Sequence, residues 1–145
     1  MAITSAICTS FKQELLVGTH NFTATSGNTF KIALFTSDAS LGASTTAYST
    51  SNEITNSSGT AYTAGGATLT SVTPTTDSTT AVCDFADVSY TSASFTANGA
   101  LIYNDTQSDK AVAVIAFGSD KTVTSGTFTI QFPTADATNA IIRLA

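Results

Sequence analysis

The chain has 145 residues, of which 42% are hydrophobic and only 10% charged, and it carries a formal net charge of -5. That length fits one domain with a sizeable core and leaves no room for a second. The five cations, Lys12, Lys31, Lys110, Lys121 and Arg143, are scattered, which excludes the clustered basic patch that nucleic-acid binding needs. No apolar run reaches the roughly 18 residues that a membrane-spanning helix requires. Serine and threonine, with 29 threonines among them, take the surface positions that Lys and Glu usually fill. Threonine is β-branched and suits the solvent face of a pleated sheet, so composition alone favours strands.

Along the chain, Met1 to Cys8 has neither a basic segment nor an apolar stretch of secretory type, which predicts synthesis in the cytoplasm without a leader. Ser10 and Gln13 have the spacing of a capping box, and Gly18 is placed to stop the helix they would start. Phe11, Leu15 and Leu16 would then face a sheet from a helix of about two turns. Phe30–Phe35 reads as a strand with Phe30, Ile32 and Leu34 on one face. Residues 37–59 become Ser, Thr, Asn and Gly around isolated Leu41, Tyr48 and Ile54. This predicts one long surface excursion with a short strand near Glu53 and Ile54.

The Gly65-Gly66 pair predicts a bulge or a close backbone approach ahead of a strand over 68–72, which Pro74 ends or marks as an edge. In the strand over 79–85, Ala81, Cys83 and Phe85 point one way. Val88 to Tyr90 and Phe95 follow, with a break expected at Asn98-Gly99. Residues 100–103 and 111–117 are apolar on both faces and belong at the centre of a two-layer core. Turns are expected at 118–120 and 125–126, then an alternating strand over 128–132, then a last strand ending at Leu144. About eight strands with no interleaved helices imply an antiparallel β-sandwich or barrel with one short N-terminal helix.

No constellation in the sequence nominates an enzyme. His20 is the only histidine, so no multi-histidine metal site can form, and a surface or capping role is expected for it. The acidic pairs Asp84 with Asp87 and Asp105 with Asp109 do not match an EF-hand, and Gly65-Gly66 lacks the lysine and helix of a phosphate loop. Cys8 and Cys83 read as small buried hydrophobes. No cofactor is expected. Tyr48 and Tyr62, in the Gly, Ser and Thr-rich region, are candidate contact residues for a partner or a sugar, or else anchors that fold the loop onto the sheet.

The order of segments carries more than any one of them. Residues 11–16 (FKQELL), 30–36 (FKIALFT), 59–69 (GTAYTAGGATL), 84–90 (DFADVSY), 99–104 (GALIYN) and 117–132 (FGSDKTVTSGTFTIQF) together resemble a group of small virion structural proteins of tailed bacteriophages. The resemblance spans nearly the whole chain and implies a decoration or cement protein. Such a protein binds the major capsid protein on the outside of the shell, often as a trimer, and is located in the virion. Residues 1–9 would then be an extended arm offering Ile3 and Ile7 to the lattice. The alternative is a tail or fibre component, or an adhesin-like module, whose 37–59 loop with Tyr48 touches a host-surface glycan.

Overall fold

The computed structural model describes residues 2–145. Among them eight strands form two antiparallel sheets: β1 (Ala6–Ile7), β2 (Phe30–Phe35), β3 (Ala67–Thr68), β4 (Ser71–Asp77), β5 (Thr80–Phe85), β6 (Val88–Asn104), β7 (Lys110–Ile130) and β8 (Ile142–Leu144). The larger sheet has the order β1-β7-β6-β2-β3, the smaller β4-β5-β8. The fold is all-β and sandwich-like with one short helix, α1 (Thr9–Leu16), as composition and spacing predict.

The sheets meet through aromatic rings. Phe30 of β2 stacks on Phe22 at 4.3 Å between centroids and lies 5.9 Å from Phe85 of β5, which in turn meets Phe132 at 5.5 Å. Each fully buried side chain of this size contributes about 1.5–3 kcal/mol. β2 is buried on both faces except at Lys31, which pairs with Asp105 at 3.4 Å. Phe30, Ile32 and Leu34 share one face, as expected. Phe35 points the other way, beneath Leu41 and the neighbouring residues of the 37–59 segment. That segment is held to the sheets by isolated bridges, Phe35 with Glu53, Ala47 with Lys110 and Ile3 with Leu41.

Helix α1 starts earlier than its capping signal suggests. The N–H groups of Cys8 and Thr9 donate to Val112 O at 3.0 Å and Ala43 O at 2.8 Å, so strand-like pairing runs up to the first helical residue. Cys8 therefore occupies the N-cap without a side-chain bond, and Ser10 falls inside the helix with its hydroxyl buried and unpaired. Tertiary pairing overrides the local Ser10-Gln13 pattern. The other end follows the sequence: Gly18 adopts φ +75°, its N–H donates to Leu15 O, and Thr19 N–H donates to Glu14 O, a Schellman stop. Phe11 is buried as expected, but Leu16 faces solvent and Glu14 takes the inward position.

The expected break at Asn98-Gly99 is absent. β6 is continuous from Val88 to Asn104, and β7 continues through both expected turns as bulges, with shifts of register near Tyr90, Ala93 and Ala97. β2 covers only residues 99–104 of β6, and β1 covers only Val114 and Ala113 of β7. Residues 88–97 and 121–130 therefore extend as a two-stranded ribbon. Glycine at 99 serves packing rather than a turn: a Cβ there would lie 2.7 Å from the Ile3 side chain and 2.8 Å from Ile115 O. Gly66 is a close backbone approach, since a Cβ would meet Ile32 O. Pro74 sits at a register shift on the edge strand β4, where its missing N–H costs no ladder bond.

Candidate interaction surface

The titratable groups are mostly spoken for inside the fold. His20 is buried, not at the surface, and its ring bridges two elements. Nε2 lies 2.7 Å from Glu14 Oε2, and Nδ1 lies 2.9 Å from Asn104 Nδ2. Asn104 also donates from Nδ2 to Asn28 and accepts at Oδ1 from Gln107 N–H, which fixes its amide and makes it the donor to Nδ1. The histidine proton is thereby placed on Nε2, where it donates to Glu14. Lys110 reaches the other Glu14 oxygen at 3.0 Å. Burial pushes the Glu14 carboxyl upward, but the bonds from His20 and Lys110 outweigh it and hold the group below the ordinary carboxylate range.

Glu53 organises a second cluster. Its Oε1 accepts from the Tyr62 hydroxyl at 2.6 Å and from Gly65 N–H at 2.7 Å, and its Oε2 accepts from the Tyr48 hydroxyl at 2.7 Å. Tyr48 stacks on Tyr103 at 4.6 Å, and the Tyr103 hydroxyl donates to Gly65 O at 2.6 Å. Burial, together with the Glu53 carboxylate, raises both Tyr48 and Tyr62 well above the usual phenol range. Of the two candidate contact tyrosines, Tyr62 is only 2% exposed and Tyr48 is half-buried in this cluster. They are placed as anchors of the long loop.

The first residues run extended but lie along their own sheet. Thr4 N–H donates to Leu41 O, Leu41 N–H donates to Ala2 O, and Ala116 N–H donates to the Ser5 hydroxyl. Ile3 packs against Gly99, and Ile7 pairs with Ala113 in β1, so each is partly covered by the domain itself. Cys8 and Cys83 are free and buried, and burial pushes their thiols up to about 11 and about 12. Among the described residues no group of three or more His, Cys, Asp or Glu side chains is placed to hold a metal ion.

Apolar surface is left open in one region above all. Leu16 is 89% exposed, Val17 67% and Leu144 59%. Leu16 and Leu144 both line a groove of about 570 Å³ between α1 and β8, together with Ile7, Phe11, Leu15 and Ile142. Lys12 and Arg143 stand on the same lining. A second hollow of about 480 Å³ lies under β7, among Ile115, Phe117, Phe128, Phe132 and Ile141. Elsewhere the ribbon presents hydroxyl pairs across its strands, Ser89 with Thr129 at 3.0 Å and Thr96 with Thr122 at 2.9 Å.

Sequence reasoning missed the α1–β8 groove, although a signal was present. Leu15, Leu16 and Val17 are consecutive, and a two-turn helix cannot turn three neighbouring side chains onto one sheet. No protein family, curated protein or solved structure matches the chain.

Proposed function

We propose that the chain is a structural protein of a tailed-phage virion that decorates and stabilises the outer surface of the capsid, with the major capsid protein as its partner. The observation that carries this reading is the apolar groove between α1 and β8, set in a surface with few charges. Contiguous exposed apolar side chains of this kind mark association sites. The order of the chain's segments, which resembles that of small virion structural proteins, supports the same assignment. Closed oligomers are the usual form of such assemblies, and a trimer fits the resemblance. In this reading the protein performs no catalysis. It acts by adding many weak contacts over a lattice, where repetition supplies the avidity.

The fibre or adhesin reading depends on aromatic rings offered to a sugar. Tyr62 is buried and Tyr48 is half-buried and stacked on Tyr103, so that reading has less ring surface to offer a sugar. Mixing the purified protein with empty expanded capsids of the phage that encodes it, then pelleting the particles, separates the two. Co-sedimentation at a fixed ratio per capsid subunit is expected. Binding to host cells or glycans, with none to capsids, would favour the adhesin.

A further inference from the structure

We propose that the α1–β8 groove seats an extended apolar segment of a partner protein that carries carboxylates, laid beside the free edge of β8 with its acidic side chains against Lys12 and Arg143. This deepens the function proposed above and rests on it for the source of the segment, the shell protein.

Three features of the groove converge on that occupant. The first is an open sheet edge. β8 pairs with β5 through Ala81, Val82 and Cys83, and its other side has no strand partner among the described residues. Its free N–H and C=O groups are a template for one more strand. The second is apolar lining: Ile7, Leu15, Leu16 and Leu144 offer hydrophobic contact to alternate side chains of such a strand.

The third is charge. Lys31 and Lys110 are ion-paired with Asp105 and Glu14. The Lys12 ammonium has no hydrogen-bond or ion-pair partner among the described residues, and the Arg143 guanidinium bonds the Ala137 carbonyl, at 3.1 Å from Nη1, and feels the Asp136 carboxylate without a direct ion pair. Two of the chain's five cations thus stand on the lining of one apolar groove, neither in an ion pair, in a protein with a net charge of -5. No carboxylate lines the groove. The lining carries two cations and no carboxylate in a molecule that is negative as a whole, which favours an anionic occupant. A second copy docking groove to groove about a two-fold axis would bring Lys12 and Arg143 against their own symmetry mates, so electrostatics opposes that arrangement.

The test is a titration of the whole protein, followed by amide NMR, with two pentapeptides blocked at both ends: Val-Asp-Leu-Asp-Val and Val-Lys-Leu-Lys-Val. The acidic peptide is expected to bind about tenfold tighter than the lysine one at low salt, an advantage that shrinks as salt rises. Shifts should centre on Leu15, Leu16 and 142–144. Lys12→Glu combined with Arg143→Glu should reverse the preference, and Leu16→Ser should weaken both peptides. All three positions are exposed, so the variants are expected to fold, which far-UV circular dichroism checks. Equal binding of the two peptides, binding by neither, or shifts centred elsewhere would overturn the proposal. Self-association that Leu16→Ser abolishes would overturn it too, by giving the groove to a second copy. The titration uses no capsid. If it fails, capsid pelleting is unaffected; if pelleting fails while the acidic peptide binds, only the shell is lost as the segment's source.

Discussion

The hydroxyl of Tyr62 donates to Glu53 at 2.6 Å while accepting from the Leu34 amide at 3.0 Å. One oxygen thereby joins the 37–59 loop to the middle of β2. The same carboxylate holds Tyr48 and the Gly65 amide, so a single acid gathers three donors, one from its own loop and two from residues 62–65. Tyr62→Phe removes the bridge and leaves the Leu34 amide buried without that acceptor. A loss of about 1–3 kcal/mol is expected, read by urea denaturation, with Tm falling about 3 °C per kcal/mol. Glu53→Ala strands three donors at once and should cost more than Tyr62→Phe. Equal stability of Glu53→Ala and wild type would show that the cluster does not hold the loop.

Alkali should act on the same cluster. All four tyrosines are raised above the ordinary phenol value of 10.0, chiefly by burial, with Tyr90 pushed up to about 12. A group whose folded value is raised contributes stability below its unfolded value, and this is lost as pH climbs above it. The folded protein is therefore expected to show no phenolate absorbance near pH 10, and phenolate should appear together with loss of the circular dichroism signal. Titration of a tyrosine near pH 10 with the fold intact would contradict this.

Glu14 works at the acid end. Its folded value is lowered by His20 and Lys110, so its contribution is present above the ordinary carboxylate value of 4.5 and is lost as pH falls through the lowered one. Glu14→Gln should lower stability at pH 7 by about 1–3 kcal/mol, because the histidine N–H and the lysine lose their charged acceptor. It should also flatten the acid limb of the stability curve below pH 4.5. Denaturation midpoints measured between neutral and acid pH read both effects. An acid limb as steep as that of wild type would remove Glu14 from the account.

Gly99→Ala tests how the N-terminal residues are held. The added methyl clashes with both the Ile3 side chain, at 2.7 Å, and the Ile115 carbonyl, at 2.8 Å. Overpacking of this kind costs about 1–3 kcal/mol. Ile3 is the softer neighbour, so hydrogen exchange should quicken first at the amides of Thr4 and Leu41, which tie the arm to the loop. Unchanged exchange at both would mean the arm is not seated by that contact.

The cysteines give a chemical reading of the core. With thiols pushed up to about 11 and about 12 and both side chains buried, Cys8 and Cys83 should resist a thiol reagent at pH 8 in the native protein and react fully in denaturant. Rapid reaction of either under native conditions would place it outside the core.

Much of the architecture was legible because apolar periodicity survives tertiary context. The alternation in Phe30–Phe35 and the doubly apolar runs at 100–103 and 111–117 mark the strands that form the centre of the larger sheet. Gly18 marks the helix stop. Misreadings occurred where long-range pairing outweighs local chemistry. Asn98-Gly99 has the composition of a turn, yet its glycine answers to Ile3, ninety-six residues earlier in the chain (99 − 3). Ser10 has the composition of a cap, yet β1 pairing starts the helix before it. His20 could not be placed from its neighbours in sequence, because its partners, Glu14 and Asn104, come from a helix and a strand end that only the fold brings together. The open groove depends on which side of α1 meets the sheet, and that is set by the buried Glu14, a residue that helical patterning would place in solvent.

The most direct test of the central claim is a cryo-EM reconstruction of the intact phage particle at a resolution that separates β-sheets. The account predicts density for the five- and three-stranded sheets on the outer surface of the shell, repeated with the capsid lattice, with the α1–β8 groove turned toward the capsid protein. Density for this fold in the tail or its fibres, with the outer shell bare, would contradict it.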